Sequence, residues 1–261
     1  MHNIQWYGWK KDVRDDRDLC KLVRIPETLP TRVDLRSGMP APYDQGSLGS
    51  CTANAIAAAL QFDLAKQNLP SWTPSRLFIY FNERDMEGTV SEDSGAQIRD
   101  GVKSVNQLGV CPEAPSPVAA AEAIWPYDIA QFAVKPPQPC YDEAEQNITL
   151  KYERIPQTVA ALQTMLSQGY PVIFGFSVYE SFESQAVAQT GIVPMPAPGE
   201  QCVGGHAVII CGYDVTTGMF LVRNSWGSDW GIGGYFWLPF AYVVDASLAN
   251  DFWTIETIKS A

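Results

Sequence analysis

Cys51 stands where a glycine-rich loop meets an alanine-rich run, in the stretch YDQGSLGSCTANAIAAALQF from Tyr43 to Phe62. Ala53, Ile56, Ala57, Leu60 and Leu64 recur at three- and four-residue spacing with little polarity before Gln61, which predicts a buried helix. Ser50 is the candidate N-cap, and Gly46 and Gly49 allow the tight entry into the first turn. A thiol at that first turn meets unpaired amides and the positive end of the helix dipole, which lower its pKa toward the nucleophilic thiolate. The alternative is a small residue that only continues the packing face.

A thiol nucleophile needs a base, and histidine occurs only at His2 and His206. In GGHAVIICGYDVTTGMFLVRNSWG, two apolar strands flank the turn-rich DVTTG, which predicts a β-hairpin centred near residue 215 or 216. Reflection through that centre sets Asn224 opposite positions 206 to 208. An asparagine beside an imidazole accepts the ring N–H, fixes the tautomer and aims the other nitrogen. A slip of one residue would put the two side chains on opposite faces, and His206 would then be an ordinary core histidine.

The rest of the composition bounds what such a pair serves. The chain has 261 residues and a formal net charge of -11, with no Lys/Arg cluster, which argues against nucleic acid or an anionic membrane as the main partner. No run of eighteen apolar residues predicts membrane insertion, and MHNIQWYGWKKDVRDDRD lacks the apolar core of a signal peptide. The compartment stays open between the cytoplasm and an export route of another kind. Six cysteines are too few for a disulfide scaffold. With Cys51 set apart, Cys20, Cys111, Cys140, Cys202 and Cys211 are an odd number, so at least one is unpaired within the chain. No CxxC or HExxH spacing occurs, and neither a metal site nor a cofactor is expected.

The elements divide into two halves. Residues 1–31 read as a separate leader, aromatic at Trp6, Tyr7 and Trp9 and charged through Asp18; residues 32–140 as a mainly helical domain carrying Cys51; and residues 141–261 as a mainly β-barrel domain carrying His206 and Asn224. Helices are expected from Cys51, from near Pro74 through Tyr80, from about Gly95 to Leu108, and over Val159 to Ser167. The proline-rich stretch from Pro112 to Pro139 reads as irregular chain. VIFGFSV, HAVIICGY, MFLVRNS, GGYFWLP and FWTIETI read as strands. Phe174 and Phe176 in the first of these suit either an apolar pocket or the barrel core.

QGSLGSC, GGHAV and NSWGSDWGIGGYF, in that order, make the chain resemble the papain-like cysteine peptidases, in particular their bacterial short-leader branch. The resemblance runs from about Val33 to the end. It implies an α+β fold in which a helical domain and an antiparallel β-barrel domain enclose the active-site cleft, with residues 32–43 crossing between them. It also implies roles: Cys51 as nucleophile, His206 as its base, Asn224 as the residue orienting the imidazole, and Gln45 with the Cys51 amide as oxyanion donors. Trp226 would shield the His206–Asn224 contact, Ser94 and Gly95 would meet the substrate backbone, and Gly205, where Asp or Asn is common, would line the cleft. The chain departs from the family at Leu48 and Thr52, where cysteine and tryptophan are usual, so the disulfide usually anchored at the first of these is absent and the pairing of the remaining cysteines stays open. An exopeptidase loop of the dipeptidase type would need further histidines, so endopeptidase action on peptides and proteins is expected. The rival readings are a transglutaminase-like or amidase acyltransferase and a catalytically silent binding protein on the same fold. The long family propeptide is absent. The leader is expected instead to dock through its aromatic cluster, restrain the cleft as a zymogen segment does, and bring Cys20 near Cys202.

Overall fold

The helix expected from Cys51 is α1, Cys51–Lys66, in the computed structural model, which describes residues 7–116, 119–147 and 149–258. Because α1 is apolar nearly all round, it is buried nearly all round, with no exposed residue from Cys51 to Leu60. Two further helices pack on it: α2, Arg76–Glu87, and α3, Ile98–Leu108. The start of α2 is set by Ser75, whose hydroxyl accepts from the Phe78 amide at 3.1 Å, and its end by Gly88 at φ 70°. It therefore begins after Pro74 and continues well past Tyr80. Helix α3 starts later than Gly95 because Ala96–Gln97 is a short strand, β3, that pairs in parallel with β1, Trp9–Lys10, of the leader.

The proline-rich stretch is irregular, with single 3-10 turns at Ala121–Ala123 and Ile129–Gln131, but its end is helical: α4 spans Gln138–Asn147. Pro139 lies in the first turn of α4, where a missing N–H breaks no helical bond.

The β half is one seven-stranded antiparallel sheet. Its strands are β2 (Arg32–Asp34), β4 (Thr149–Arg154), β5 (Val172–Tyr179), β6 (Cys202–Asp214), β7 (Met219–Arg223), β8 (Tyr235–Pro239) and β9 (Ala249–Ile258). They run in the order β4-β9-β5-β6-β7-β8, and β2 adds to β6 with Arg32 opposite Asp214. β4 was not expected: TLKYER is too charged to read as a strand alone, and it forms because β9 offers it a complete ladder. Helix α5 covers Val159–Ser167, as its apolar spacing predicts, and the short helices α6, Gln185–Thr190, and α7, Phe240–Val244, lie in the connections.

The two-residue period of the strands sorts their side chains between two cores. Ile173, Ala207, Ile209, Trp253 and Ile255 pack with α1 and its helical neighbours. Val172, Phe174, Phe176, Val208 and Ile210 face the other way into the barrel, so Phe174 and Phe176 belong to its core.

All six cysteines are free. Cys20 and Cys202 are not neighbours: Cys20 bridges Arg154, which lies opposite Trp253 and so level with Ile173, whereas Cys202 lies opposite Tyr179 at the far end of β5. Among the described residues no helix is long and apolar enough to cross a membrane, and no His/Cys/Asp/Glu group is placed to hold a metal ion.

Candidate active site

Helix α1 and strand β6 meet where Cys51 and His206 lie. The Cys51 sulfur accepts a hydrogen bond from the Ala207 amide at 3.4 Å, so it sits against the residue that follows His206. The hairpin pairs Ile209 with Arg223, which carries Asn224 to the level of position 208, within the expected span. The His206 Nε2–H donates to Asn224 Oδ1 at 2.8 Å, and that oxygen also accepts from the Ser225 amide at 2.8 Å. The Asn224 carboxamide is thereby held in one orientation, and the ring it holds carries its proton on Nε2. Trp226 stacks on the imidazole with centroids 5.1 Å apart and planes 23° apart, and Trp230 closes over Trp226 edge-on at 5.0 Å. Both indoles are largely buried, which keeps water from the contact.

Gln45 reaches the same place from the loop before α1. Its Oε1 accepts from the Ser225 hydroxyl at 2.6 Å, and its Nε2 donates to the Leu48 carbonyl at 2.9 Å, which uses one of the two amide hydrogens. Its backbone is tied to the β half by a bond from the Gln45 amide to the Ser225 carbonyl, and to the helical half by the Tyr127 hydroxyl on the Gln45 carbonyl. Ser50 precedes α1 as expected, but its hydroxyl makes no cap. It pairs instead with the Tyr127 hydroxyl and accepts from Asn54 Nδ2.

The leader lies across this group. Tyr7 sits 5.9 Å from the His206 ring and 6.3 Å from the Trp226 ring, centroid to centroid. Gly8 passes over Cys51, its carbonyl accepting from the Ala96 amide at 2.8 Å. A Cβ on Gly8 would collide with the Gly49 carbonyl, and one on Gly95, itself at φ 66°, would collide with the Gly8 carbonyl. Trp9 follows and packs on Gly205 and Gly175. Trp6, the remaining member of the aromatic cluster, lies outside the described residues. Asp93 braces both walls of this passage: its carboxylate accepts from the Gly49 amide at 3.0 Å and from the Tyr80 hydroxyl, which in turn accepts from the Gly95 amide at 3.1 Å. The Ser94 hydroxyl lies within hydrogen-bond distance of the Thr89 hydroxyl and of the Gly95 carbonyl.

With the leader in place Cys51 is fully buried, and its thiol is pushed up to about 12, foremost by that burial and further by the charge of Glu83; hydrogen bonds from the amides of Ala207, Gly8 and Thr52 pull the other way. This corrects the expected low pKa: the amides at the helix start are present, but the leader has removed the water that a thiolate needs. Glu83 lies beneath the same turn, where its carboxylate accepts from the Thr52 hydroxyl at 2.6 Å, and burial holds its acid well above the usual carboxylate range.

Behind Trp9 the leader is fixed by charge. Asp12 accepts from the Trp253 indole and from Arg154, both at 2.9 Å, and from the Arg99 amide at 3.1 Å. Its own amide donates to Asp251 at 2.8 Å, and Asp18 holds Arg154 at 2.7 Å. Burial, and then the neighbouring Asp251 charge, push Asp12 up to about 7. None of Gly8, Asp12, Asp93 or Asp251 was singled out from the sequence. Each acts through partners dozens to hundreds of positions away, and only the leader's clustered aromatics hinted at them.

The model of the papain family of cysteine proteases matches residues 29–243, and the chain belongs to that family. It is 46% identical to an uncharacterized peptidase C1-like protein of Acanthamoeba polyphaga mimivirus, over 92% of this chain and 74% of that one. It is 29% identical to cysteine proteinase 3 of Solanum lycopersicum, over 82% of this chain and 56% of that one. Among solved structures, xylellain, a cysteine protease from Xylella fastidiosa, superposes with a TM-score of 0.87 at 40% identity, covering 99% of this chain and 98% of that one. Digestive procathepsin L 3 of Tenebrio molitor shares the fold, with a TM-score of 0.64 at 18% identity over 93% of this chain and 75% of that one. The chain is thus a cysteine-type peptidase with the papain-like fold.

Proposed function

We propose that the chain is an endopeptidase that attacks internal peptide bonds with Cys51 and is restrained by its own leader. The observation that carries the reading is the meeting of Cys51, from the helical half, with the hydrogen-bonded His206 and Asn224 of the sheet half. His206 Nδ1 takes the thiol proton while Nε2–H stays on Asn224. The sulfur attacks the carbonyl carbon, and the oxyanion is held by the free hydrogen of Gln45 Nε2 and the Cys51 amide, which as the first helical N–H has no partner in the helix. The C–N bond then breaks, His206 delivers its proton to the amine, and a thioester remains. Water, deprotonated by His206, releases the acid and restores the thiol.

The same chemistry fixes the direction of a substrate. The leaving amine must lie by His206, where Tyr7 now sits, so the acyl side lies beyond Cys51 along β3, where Trp9 sits. A substrate runs from acyl side to leaving side, whereas the leader runs from Tyr7 to Trp9. It occupies the cleft backwards, and this supports its reading as an inhibitory segment that is not itself a substrate.

Labelling of the chain with a thiol-reactive epoxide, followed by peptide mapping, tests the assignment. Modification of Cys51 with parallel loss of peptide hydrolysis is expected once the leader is unseated, as in a Gly8→Ala chain, whereas labelling of the exposed Cys20 and Cys202 should leave hydrolysis unchanged. Hydrolysis that survives complete labelling of Cys51 would end it.

A further inference from the structure

The two groups that would hold the oxyanion stand at the two ends of one pliable loop. Gln45 precedes it, Ser50 and Cys51 follow it, and Gly46, at φ 62°, and Gly49 lie between. One hydroxyl from elsewhere in the chain ties the ends together. Tyr127 Oη lies 3.0 Å from the Gln45 carbonyl oxygen and 2.5 Å from Ser50 Oγ. It comes from the proline-rich stretch, between the 3-10 turns at Ala121–Ala123 and Ile129–Gln131.

The direction of every proton in this contact follows from its two ends. Arg76 can only donate, and its Nη1 donates to Asn54 Oδ1 at 3.0 Å, so Asn54 Nδ2 faces Ser50 and donates to the Ser50 hydroxyl at 3.0 Å. At the other end the Gln45 carbonyl can only accept, so it takes the single Tyr127 proton, and Ser50 gives its own proton to Tyr127 Oη. Arg76, Asn54, Ser50, Tyr127 and Gln45 thus form a file of donors that starts on a cation, and each bond polarises the next. Arg76 is itself fixed. Glu113 accepts from its Nε at 2.8 Å and its Nη2 at 2.7 Å, and its guanidinium lies 3.8 Å from the centre of the Tyr127 ring. Gln45, Ser50 and Asn54 are buried, so a lost member leaves its neighbour unpaired away from water.

Building on the hydrolytic reading above, we propose that Tyr127 is a positioning residue for the oxyanion hole. It acts through Gln45 and Ser50 and not on the reacting atoms. Ser225 ties Gln45 to the sheet half, whereas Tyr127 sets it against the start of α1. By holding the Gln45 backbone and Ser50 on one oxygen, Tyr127 fixes the spacing of Gln45 Nε2 and the Cys51 amide, the two donors that must converge on one developing charge.

The test is Tyr127→Phe, which keeps the ring against Arg76 and removes only the oxygen. It is made in the full chain carrying Gly8→Ala, so that the leader does not mask the rate, and assayed on an internally quenched peptide. Its kcat should fall about tenfold with KM nearly unchanged and the pH limits of kcat/KM in place, because displaced donors weaken the transition state and leave the thiol and imidazole alone. In chains that also carry Gln45→Ala the same substitution should cost about threefold or less, since the donor it positions is already gone. Ser50→Ala unties the other end of the loop from the same oxygen; it is the second variant, and it should show a smaller loss with the same non-additivity. A loss through weakened folding would be equal with and without Gln45. Such an equal loss, or an unchanged kcat in Tyr127→Phe, overturns the inference alone. No hydrolysis by the full chain or by its Gly8→Ala variant overturns the hydrolytic reading and the inference with it.

Discussion

Gly8 of the leader and Gly49 of the loop before α1 touch backbone to backbone, so closely that a methyl group could not be accommodated between them at Gly8. Replacing Gly8 with alanine should therefore unseat the leader. In a peptide assay, the Gly8→Ala chain is expected to show kcat/KM about tenfold or more above the wild type, since a clash of this kind costs on the order of 1–3 kcal/mol. A leader peptide added in trans should inhibit the variant, and one carrying the alanine should not. Equal kinetics of wild type and variant would remove the leader from control of the site.

The Asp12 anchor predicts a pH dependence of restraint. Asp12 is pushed up to about 7 while docked, by burial and by Asp251, and returns to about 4 in a released leader. The docked form thus holds its proton more tightly than the free form. The Asp12 contribution to docking is full below about pH 4, is lost as pH rises toward about 7, and does not change further above that. Arg154, Arg99 and Trp253 also face Asp12 and oppose the shift without cancelling it. The ratio of wild-type to Gly8→Ala kcat/KM should rise about tenfold or more from about pH 5 to about pH 7.5, and the share due to Asp12 is the share that Asp12→Asn removes, the buried thiol adding its own rise at higher pH. Asp12→Asn should flatten that rise.

His206→Ala removes the group that moves every proton and should cost about two to four orders of magnitude in kcat. Asn224→Ala loses the bond that fixes the tautomer and should cost less. The comparison is made on proteins with matching melting curves, and equal losses would mean that Asn224 does more than orient the ring.

Gln45→Ala should lower kcat by about 10- to 1000-fold with little change in KM, the mark of a donor engaged by the oxyanion and not by the ground state. Because Gln45 also binds Ser225, the control is Ser225→Ala, which frees Oε1 and should slow turnover less. An unchanged kcat in Gln45→Ala would exclude it as an oxyanion donor.

Cys51, His206 and Asn224 were legible because local pattern carries them: one opens a helix whose periodicity is plain, and the other two lie across a hairpin whose turn fixes their register. Local pattern failed where a partner supplied the order. TLKYER becomes a strand only against β9, and Ala96–Gln97 leaves helix α3 only because the leader pairs with it. The bond between Trp9 and Asp251 joins residues 242 positions apart, and no periodicity encodes such a contact. The thiol pKa was misjudged for the same reason, since the helix start was visible in the sequence and the cover over it was not.

The leader is tethered on both sides of its exposed connector: Leu19 and Lys21 bond the backbone of Arg154, and Thr31 bonds that of Val215. If the leader inhibits as proposed, its tethering gives it an effective concentration on the order of millimolar, however dilute the enzyme. On the proposed reading, even a segment of modest intrinsic affinity would then hold nearly every molecule shut, and no rise or fall in expression would change that fraction. One cut between residues 22 and 30 would alter the arithmetic without moving an atom of the cleft, because the cover becomes a separate ligand and dilution alone completes its release.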